Sequence, residues 1–282
     1  MCTIRVPSAS TSTFGSTGAV GVVGAAAASA VSIAIGGVLA SAALFRHAEI
    51  SPKGYPIKPD KSILAPCMKV AFPNMLQRFG TSLGYVAFAA MINSLGELST
   101  AAHTVANTVE SAFYVPGYGM MAAAATLTGN AIGARDKEKQ RGLARVMILF
   151  EAVLMAVSGA LLFIFAPQMA GLFSRDEAVI RLGSTVLRMV AVSEPVFGVS
   201  LVIEGMLQGA GKTGVPFVIN MAGMWGVRIL GTFICVRLLG MGLVSAWACM
   251  IGHNLLLFVL FGLYYLRGKW DPLNRMETAE NV

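Results

Sequence analysis

Residues 101–132 read AAHTVANTVESAFYVPGYGMMAAAATLTGNAI. Glu110 is the one charged side chain in that run. As a helix the stretch would rise about 48 Å at ~1.5 Å per residue, more than the ~30 Å of a bilayer's hydrocarbon core. Its polar residues are not scattered. His103, Asn107, Glu110 and Tyr114 follow at steps of four, three and four, which puts them on one helix face. A polar face against lipid is expensive, so this one is expected to look into a bundle or a water-filled cavity. Pro116 and Gly117 follow within two turns, and the missing amide of Pro116 predicts a kink near the acid.

The rest of the 282-residue chain conforms to that reading. It is 56% hydrophobic and 12% charged, against about 45–50% and about 25% in soluble globular proteins. Such a chain cannot cover its surface in water, which excludes a soluble domain, and disorder needs the opposite composition. Seven stretches are long enough to span a bilayer: 18–45, 64–93, 101–132, 143–166, 182–208, 215–239 and 242–266. The expected fold is therefore an all-α polytopic membrane protein of about seven helices.

The formal charge is +7, yet the cations do not cluster on a polar face as in nucleic-acid binders. They fall between the apolar stretches, on alternate connections. One set holds Arg46, Lys53, Lys58, Lys61, Arg135, Lys137, Lys139, Arg141, Arg145, Lys212, Arg267, Lys269 and Arg275; the other holds Arg175 and Arg181. Thirteen against two predicts that the first set is cytoplasmic, with the C-terminus, in a plasma (inner) membrane. An odd number of spans then puts the N-terminus outside. Residues 1–17 are rich in Ser and Thr and could be read as a leader, but the apolar run after Gly18 is too long for the usual core of one. The expected organisation is a polar segment 1–17, a helix 18–45, a cytoplasmic linker 46–61 with Pro52, Pro56 and Pro59, a helical body 62–267 and a tail 268–282.

Familiar chemical motifs fail. Gly209-Ala210-Gly211-Lys212-Thr213 suggests a phosphate loop, but that motif needs glycine at position 206, which is Met206. His47, His103 and His253 sit on separate segments and support no metal or haem site. Cys2, Cys67, Cys235 and Cys249 show no paired spacing and read as free thiols. Phe173-Ser174-Arg175-Asp176-Glu177 looks like an exposed turn with Ser174 as the next helix's N-cap.

Polar residues inside the other spans are the remaining signal. The second span carries Asn74, Gln77 or Arg78, Thr81 and Tyr85 at helical spacing. The fourth has Glu151 by itself. Glu194-Pro195 lies near the centre of the fifth, with Glu204 and Arg188 elsewhere on it. The sixth holds Asn220, Trp225 and Arg228, and the seventh Ser245, Cys249 and His253.

Several of these stretches resemble the multidrug and toxic compound extrusion (MATE) family. Gly-Val-Val-Gly-Ala-Ala-Ala-Ala-Ser at 21–29 looks like that family's sixth helix. Val109-Glu110-Ser111, Val115-Pro116-Gly117-Tyr118-Gly119 and Gly133-Ala134-Arg135-Asp136 are similar to its eighth in order and spacing. Glu194-Pro195 with Glu204-Gly205-Met206-Leu207-Gln208-Gly209-Ala210-Gly211 resembles its tenth, Trp225-x-x-Arg228 its eleventh, and Arg267-Gly268-Lys269-Trp270 its closing tail. Two departures stand out: Gln77 before Arg78 where the family often has Glu, and Leu207-Gln208-Gly209-Ala210-Gly211-Lys212-Thr213 where it often has Leu-Arg-Gly-Ala-Gly-Asp-Thr.

The resemblance implies one six-helix lobe of a two-lobe secondary antiporter plus the last helix of the other lobe. It implies export of small, amphipathic organic cations in exchange for H⁺ or Na⁺, with no other cofactor, no enzymatic reaction and no nucleic acid. The missing N-terminal lobe, or a second copy, would complete the cavity. Candidate coupling acids are Glu110, Glu194 and Glu204, because an intramembrane carboxylate can load and release a cation. Candidate cavity residues are Asn74, Gln77, Arg78, Asn107, Tyr114, Tyr118, Phe197, Met224, Trp225 and Arg228, with Pro116 and Pro195 as hinges. Structural alternatives stand beside these. Glu110 could pair with Arg78 and Glu204 with Arg228, while Glu151 reads as a packed or peripheral acid. Rival functions are a lipid-linked flippase of the same superfamily and a truncated product that does not transport.

Overall fold

The computed structural model describes residues 21–46, 60–268, 270, 271 and 273. The polar segment 1–17, the linker over 47–59 and most of the tail beyond Gly268 lie outside the described residues. Two units divide at Asp60 and Lys61. Of the first, the described part is one helix, α1 (Gly21–Arg46), built almost wholly of small and β-branched residues.

The second unit is helical throughout, with no strand among the described residues. Its elements are α2 (Lys61–Asn93), α3 (Glu97–Gly133), α4 (Lys137–Phe173), α5 (Glu177–Ala191), α6 (Glu194–Gly209), α7 (Gly214–Leu238) and α8 (Leu243–Leu266). Among the described residues α4, α7 and α8 are each long and apolar enough to cross a membrane, and α5–α6 makes a fourth if the bent pair is one span. The chain is an all-α, multi-pass membrane protein. Of the expected seven spans, the first is represented by α1, whose described apolar part, Ala30–Arg46, is shorter than a full span; the other six separate into two kinds. α2 and α3 have the length, at 33 and 37 residues, but their polar stripes keep them below the apolarity of the other four.

Two local expectations need correction. The fifth span is not one helix. It breaks after Ala191, and α5 and α6 meet at a 53° bend. Ser193 holds the break by donating its hydroxyl to the Val190 carbonyl at 2.8 Å, and Pro195 then falls in the first turn of α6. A proline there removes an amide that would be unpaired anyway, so Glu194-Pro195 starts a helix and does not kink one. The N-cap before α5 is Asp176, which accepts from the Ala178 amide at 2.8 Å. Ser174 instead closes α4 and accepts from the Asp176 amide at 3.2 Å. At Pro116, by contrast, α3 continues as helix.

Close packing places α6 against α3. A β-carbon on Gly205 or on Gly209 would run into the backbone carbonyl of Met121 or of Ala125, respectively. Each pair is four residues apart, so two glycines on one face of α6 meet two carbonyls on one face of α3. Helices that associate in lipid rely on such small-residue seams. The Gly-rich run at 205–209 is therefore a packing surface.

Buried apolar residues form two clusters. One includes Phe88, Ile92, Ala106, Val109, Leu162, Leu187, Ala191, Trp247 and Met250. The other includes Ala124, Met147, Val202, Met206, Leu207, Leu257 and Phe261. On α3, α4, α7 and α8 and across the α5–α6 bend, a buried polar residue falls between the two: Glu110, Glu151, Arg228, His253 and Glu194, in that order. The polar residues thus form a belt across the middle of the bundle, flanked by apolar packing at either end.

Candidate functional site

A cavity of about 310 Å³ opens beside this belt. The stripe of α2 supplies Asn74, Gln77, Arg78, Thr81, Ser82 and Tyr85 to its wall. α3 contributes Tyr118 and Met121; α6 contributes Phe197, Ser200, Leu201, Glu204 and Gln208. Asn220 and Met224 come from α7, and His253 and Leu257 from α8. Five helices therefore converge on one space.

Glu204 anchors its polar side. Its carboxylate is buried and accepts from the Gln77 side-chain amide at 2.7 Å and from that of Gln208 at 3.1 Å. Arg78 adds a favourable charge nearby. Other polar atoms of the lining are buried without a hydrogen-bond partner in the protein, namely Gln77 Oε1 and both ring nitrogens of His253, while the Asn220 side-chain amide lies against Glu204. Buried polar atoms are rarely left unmatched, so these are the groups free to meet a ligand. The apolar side is aromatic. Tyr114, Tyr118 and Phe197 pack edge to face, with ring centroids 5.6 to 6.4 Å apart. Aromatic faces of this kind attract organic cations.

Behind the aromatic triad sits a second charged group. Arg228 is buried, with its guanidinium over the Phe88 ring at 4.5 Å and the Tyr85 ring at 5.0 Å. Glu110 feels the charge of Arg228, and Glu194 feels that of Glu110. Arg228 lies in a π-helical stretch, Ala222–Ile229, which also carries Met224 and Trp225. One-residue-wider turns of this kind recur at functional sites because they re-aim side chains. Among the described residues no group of three or more His, Cys, Asp or Glu side chains could hold a metal ion.

The sequence-derived candidates divide accordingly. Asn74, Gln77, Arg78, Tyr118, Phe197, Glu204 and Met224 line the cavity. Glu110, Glu194, Tyr114 and Arg228 lie in the group behind it. Asn107 is exposed on α3. Trp225 is also largely exposed, and its indole donates to the Gly80 carbonyl at 3.2 Å, tying α7 to α2.

Neither expected ion pair forms. Arg228, not Arg78, is the cation whose field reaches Glu110, with no ion-pair contact between them, and Glu204 is held by Gln77 and Gln208 and not Arg228. The reason is level along α2. Arg78 and Tyr85 are seven residues apart, about 10 Å of helix. Arg228 stacks at the Tyr85 end, level with Glu110, and Arg78 lies at the Glu204 end.

Some lining residues escaped the sequence-derived set. Ser200 and Gln208 flank Glu204 at i−4 and i+4, a spacing that could have revealed them. Thr81, Tyr85, Asn220 and His253 stood out as polar in apolar runs but were not assigned to the site. Glu151 is wholly buried with neither oxygen hydrogen-bonded, and it packs where α4 meets Gly117 and Gly198.

Comparison with known proteins places this geometry. A family model described as MatE matches residues 73–234. A probable multidrug resistance protein NorM of Thermotoga maritima is 26% identical over 248 residues, 88% of this chain and 53% of its own length. A protein of the same name from Brucella suis is 30% identical over 199 residues, 67% of this chain and 41% of its own. Multidrug and toxin extrusion protein 2 of Oryctolagus cuniculus is 26% identical across 73% of this chain and 34% of its own. The chain thus spans about half the length of the curated relatives it matches, or less. Among solved structures, a MATE in complex with MaL6 superposes with a TM-score of 0.81 over 91% of this chain and 58% of that one, at 24% identity. A MOP superfamily transporter of Pyrococcus furiosus, described as having a binding pocket of reverse polarity, gives a TM-score of 0.68 over 73% and 45%, at 19% identity. At those identities the likeness is one of fold.

Proposed function

This chain belongs to the MatE family, and we propose that it supplies the C-terminal lobe and one N-lobe helix of a cation-coupled antiporter that exports amphipathic organic cations. The observation that carries the reading is an aromatic-walled cavity with one buried carboxylate, Glu204, in its wall and two more, Glu110 and Glu194, buried behind it. Phe197, Tyr118 and Met224 would receive the apolar body of a substrate, and Glu204 its positive charge. Glu110 and Glu194 would take up the exchanged H⁺ or Na⁺ behind the aromatic wall, in electrostatic reach of one another. Loading a cation there would change the charge felt by Tyr114, which stands between the two groups. Rocking of two lobes about the cavity would then alternate its access.

In this reading 18–45 is the last N-lobe helix, 46–61 a cytoplasmic linker and 62–267 the C-lobe, in the plasma membrane with the C-terminus inside. A lipid-linked anionic substrate is disfavoured by the lining, where the single guanidinium of Arg78 is set against the carboxylate of Glu204.

The test is complementation. In an efflux-deficient, drug-sensitive bacterium, residues 1–282 alone should give no resistance to a cationic dye such as ethidium. Co-expression with the five preceding helices of a family member should give it. Glu204→Gln should lower dye export in that assembly, and Glu110→Gln should uncouple export from the ion gradient while dye still binds. Ion-driven dye export by the chain alone in proteoliposomes would overturn the half-cavity reading in favour of two copies. Absence of export from a correctly folded two-part assembly would overturn the antiporter.

A further inference from the structure

Cys235 and Cys249 are 14 residues apart and sit on different helices, with no spacing that marks them as a pair. The fold brings their sulfur atoms to 3.8 Å. Cys235 lies in the last turn of α7, a π-helical stretch Ile234–Leu238, and Cys249 in the second turn of α8. Both are half-buried and both face a groove shared with Met241, Val244 and Ser245. Three features fix the approach. The Met241 amide donates to the Cys235 carbonyl at 2.8 Å, which folds the 239–242 turn back onto that residue. Gly240 takes a left-handed φ of 63° that lets the chain reverse there. Gly231, one turn before Cys235, leaves room for the Cys249 sulfur, which lies 3.2 Å from where a β-carbon would stand.

We propose that Cys235 and Cys249 are a redox-modified pair that closes into a disulfide between α7 and α8. A disulfide needs ~2.05 Å between sulfurs. Rotation about the two Cα–Cβ bonds would bring the sulfurs closer than their present 3.8 Å. The oxidant is a disulfide of the thiol-exchange class, on a small molecule or an oxidoreductase. One cysteine thiolate attacks that disulfide to give a mixed disulfide, releasing the first oxidant thiolate. The second cysteine, losing its proton to water, attacks the protein sulfur of the mixed disulfide and releases the other. Two protein thiols are oxidised and one oxidant disulfide becomes two thiols.

The 239–242 turn lacks any Lys or Arg and belongs to the cation-poor connections, on the side expected to face the oxidising exterior, where disulfides persist. That compartment follows from the sidedness proposed above, whereas the pairing follows from the geometry alone. Closure would clamp together two walls of the cavity, since α7 carries Asn220 and Met224 and α8 carries His253 and Leu257.

The test uses the full chain purified in detergent, incubated with oxidised glutathione, then denatured and labelled with a maleimide polyethylene glycol. The reduced protein should take four labels, one for each cysteine, and the oxidised protein two. Trypsin cuts after Arg237, between the pair, so mass spectrometry should find peptide 229–237 joined to 238–267. Reduction by dithiothreitol should separate them. Cys249→Ser should abolish the joined peptide and leave Cys235 labelled or as a glutathione adduct. Retention of four labels by folded wild-type protein, or loss of labels traced to Cys2 or Cys67, would overturn the proposal. The wild-type peptide assignment decides the matter even if the serine variant fails to fold.

Discussion

The seam between α3 and α6 allows one substitution to be read with opposite signs at different positions. Gly205→Ala adds a single β-carbon, which would overlap the Met121 carbonyl; at Gly209 the obstacle is the Ala125 carbonyl. A backbone carbonyl inside a helix cannot swing aside, so α6 must back away from α3 and loosen the packing around Val202 and Met206. Overpacking of this kind costs about 1–3 kcal/mol. The clash is with backbone, so the cost falls in the upper part of that range; alanine's better helix propensity returns up to about 1 kcal/mol, leaving a net loss of about 1–2 kcal/mol. At Gly142 in α4 and Gly262 in α8 nothing lies within 4 Å of the added carbon. There the propensity gain acts alone, and Gly→Ala should stabilise by up to about 1 kcal/mol. Thermal unfolding of the detergent-purified chain should therefore show midpoints lowered by about 2–8 °C for Gly205→Ala and Gly209→Ala. The same change at Gly142 or Gly262 should leave the midpoint unchanged or raise it. The double change at 205 and 209 should cost less than the sum, because one retreat of α6 relieves both overlaps. If Gly205→Ala and Gly209→Ala melt with the Gly142 and Gly262 variants, the seam is not the close contact described.

Other expectations concern the charged groups. In a double-mutant cycle read by thermal unfolding, Glu110→Gln should couple to Arg228→Met by about 1 kcal/mol or more and to Arg78→Met hardly at all; the reverse would reinstate the pairing suggested by the sequence. Gln77→Glu should place a second carboxylate against Glu204, at a contact now 2.7 Å long, and lower stability at neutral pH more than Gln77→Leu does. Adding Gln208→Arg should recover much of that loss, and a double variant as unstable as Gln77→Glu alone would mean that 208 does not reach the site. For topology, single cysteines placed in 134–145 should react with an impermeant maleimide only from the cytoplasm, and one at Asp176 only from outside. Labelling of either from the opposite face would break the assigned sidedness.

What the sequence conveyed and what it withheld follow different physics. The helices were legible because long apolar runs have few alternatives, and the stripe on α2 because polar spacing of three and four survives in any environment. A stripe, however, reports only which face of its own helix is polar. It says nothing about which level of a neighbouring helix meets that face, which is why neither Glu110 nor Glu204 meets the arginine expected for it. The break at Ser193 and the π-helical turns around Arg228 were illegible for a related reason. A proline reads the same in the first turn of a new helix as in the middle of a bent one, and the wide turns carry no composition of their own.

Two of the places where this chain departs from its family's pattern are best understood together. Gln77 and Gln208 stand on different helices, 131 positions apart in sequence, and read singly each removes a charge. Both donate to the same carboxylate, Glu204. An acid at 77 would require an extra proton or cation beside Glu204, and an arginine at 208 would supply one. With both positions amides, neither charge is present and the balance around Glu204 is preserved. The carboxylate is satisfied by neutral donors; in the proposed function these would rotate away when a cation arrives, whereas a fixed guanidinium would compete with that cation. Gly205 and Gly209, on an adjacent face of the same two turns, keep α6 against α3. Within residues 204–209 one face therefore serves packing and the next serves charge, and the helical period alone separates the two tasks.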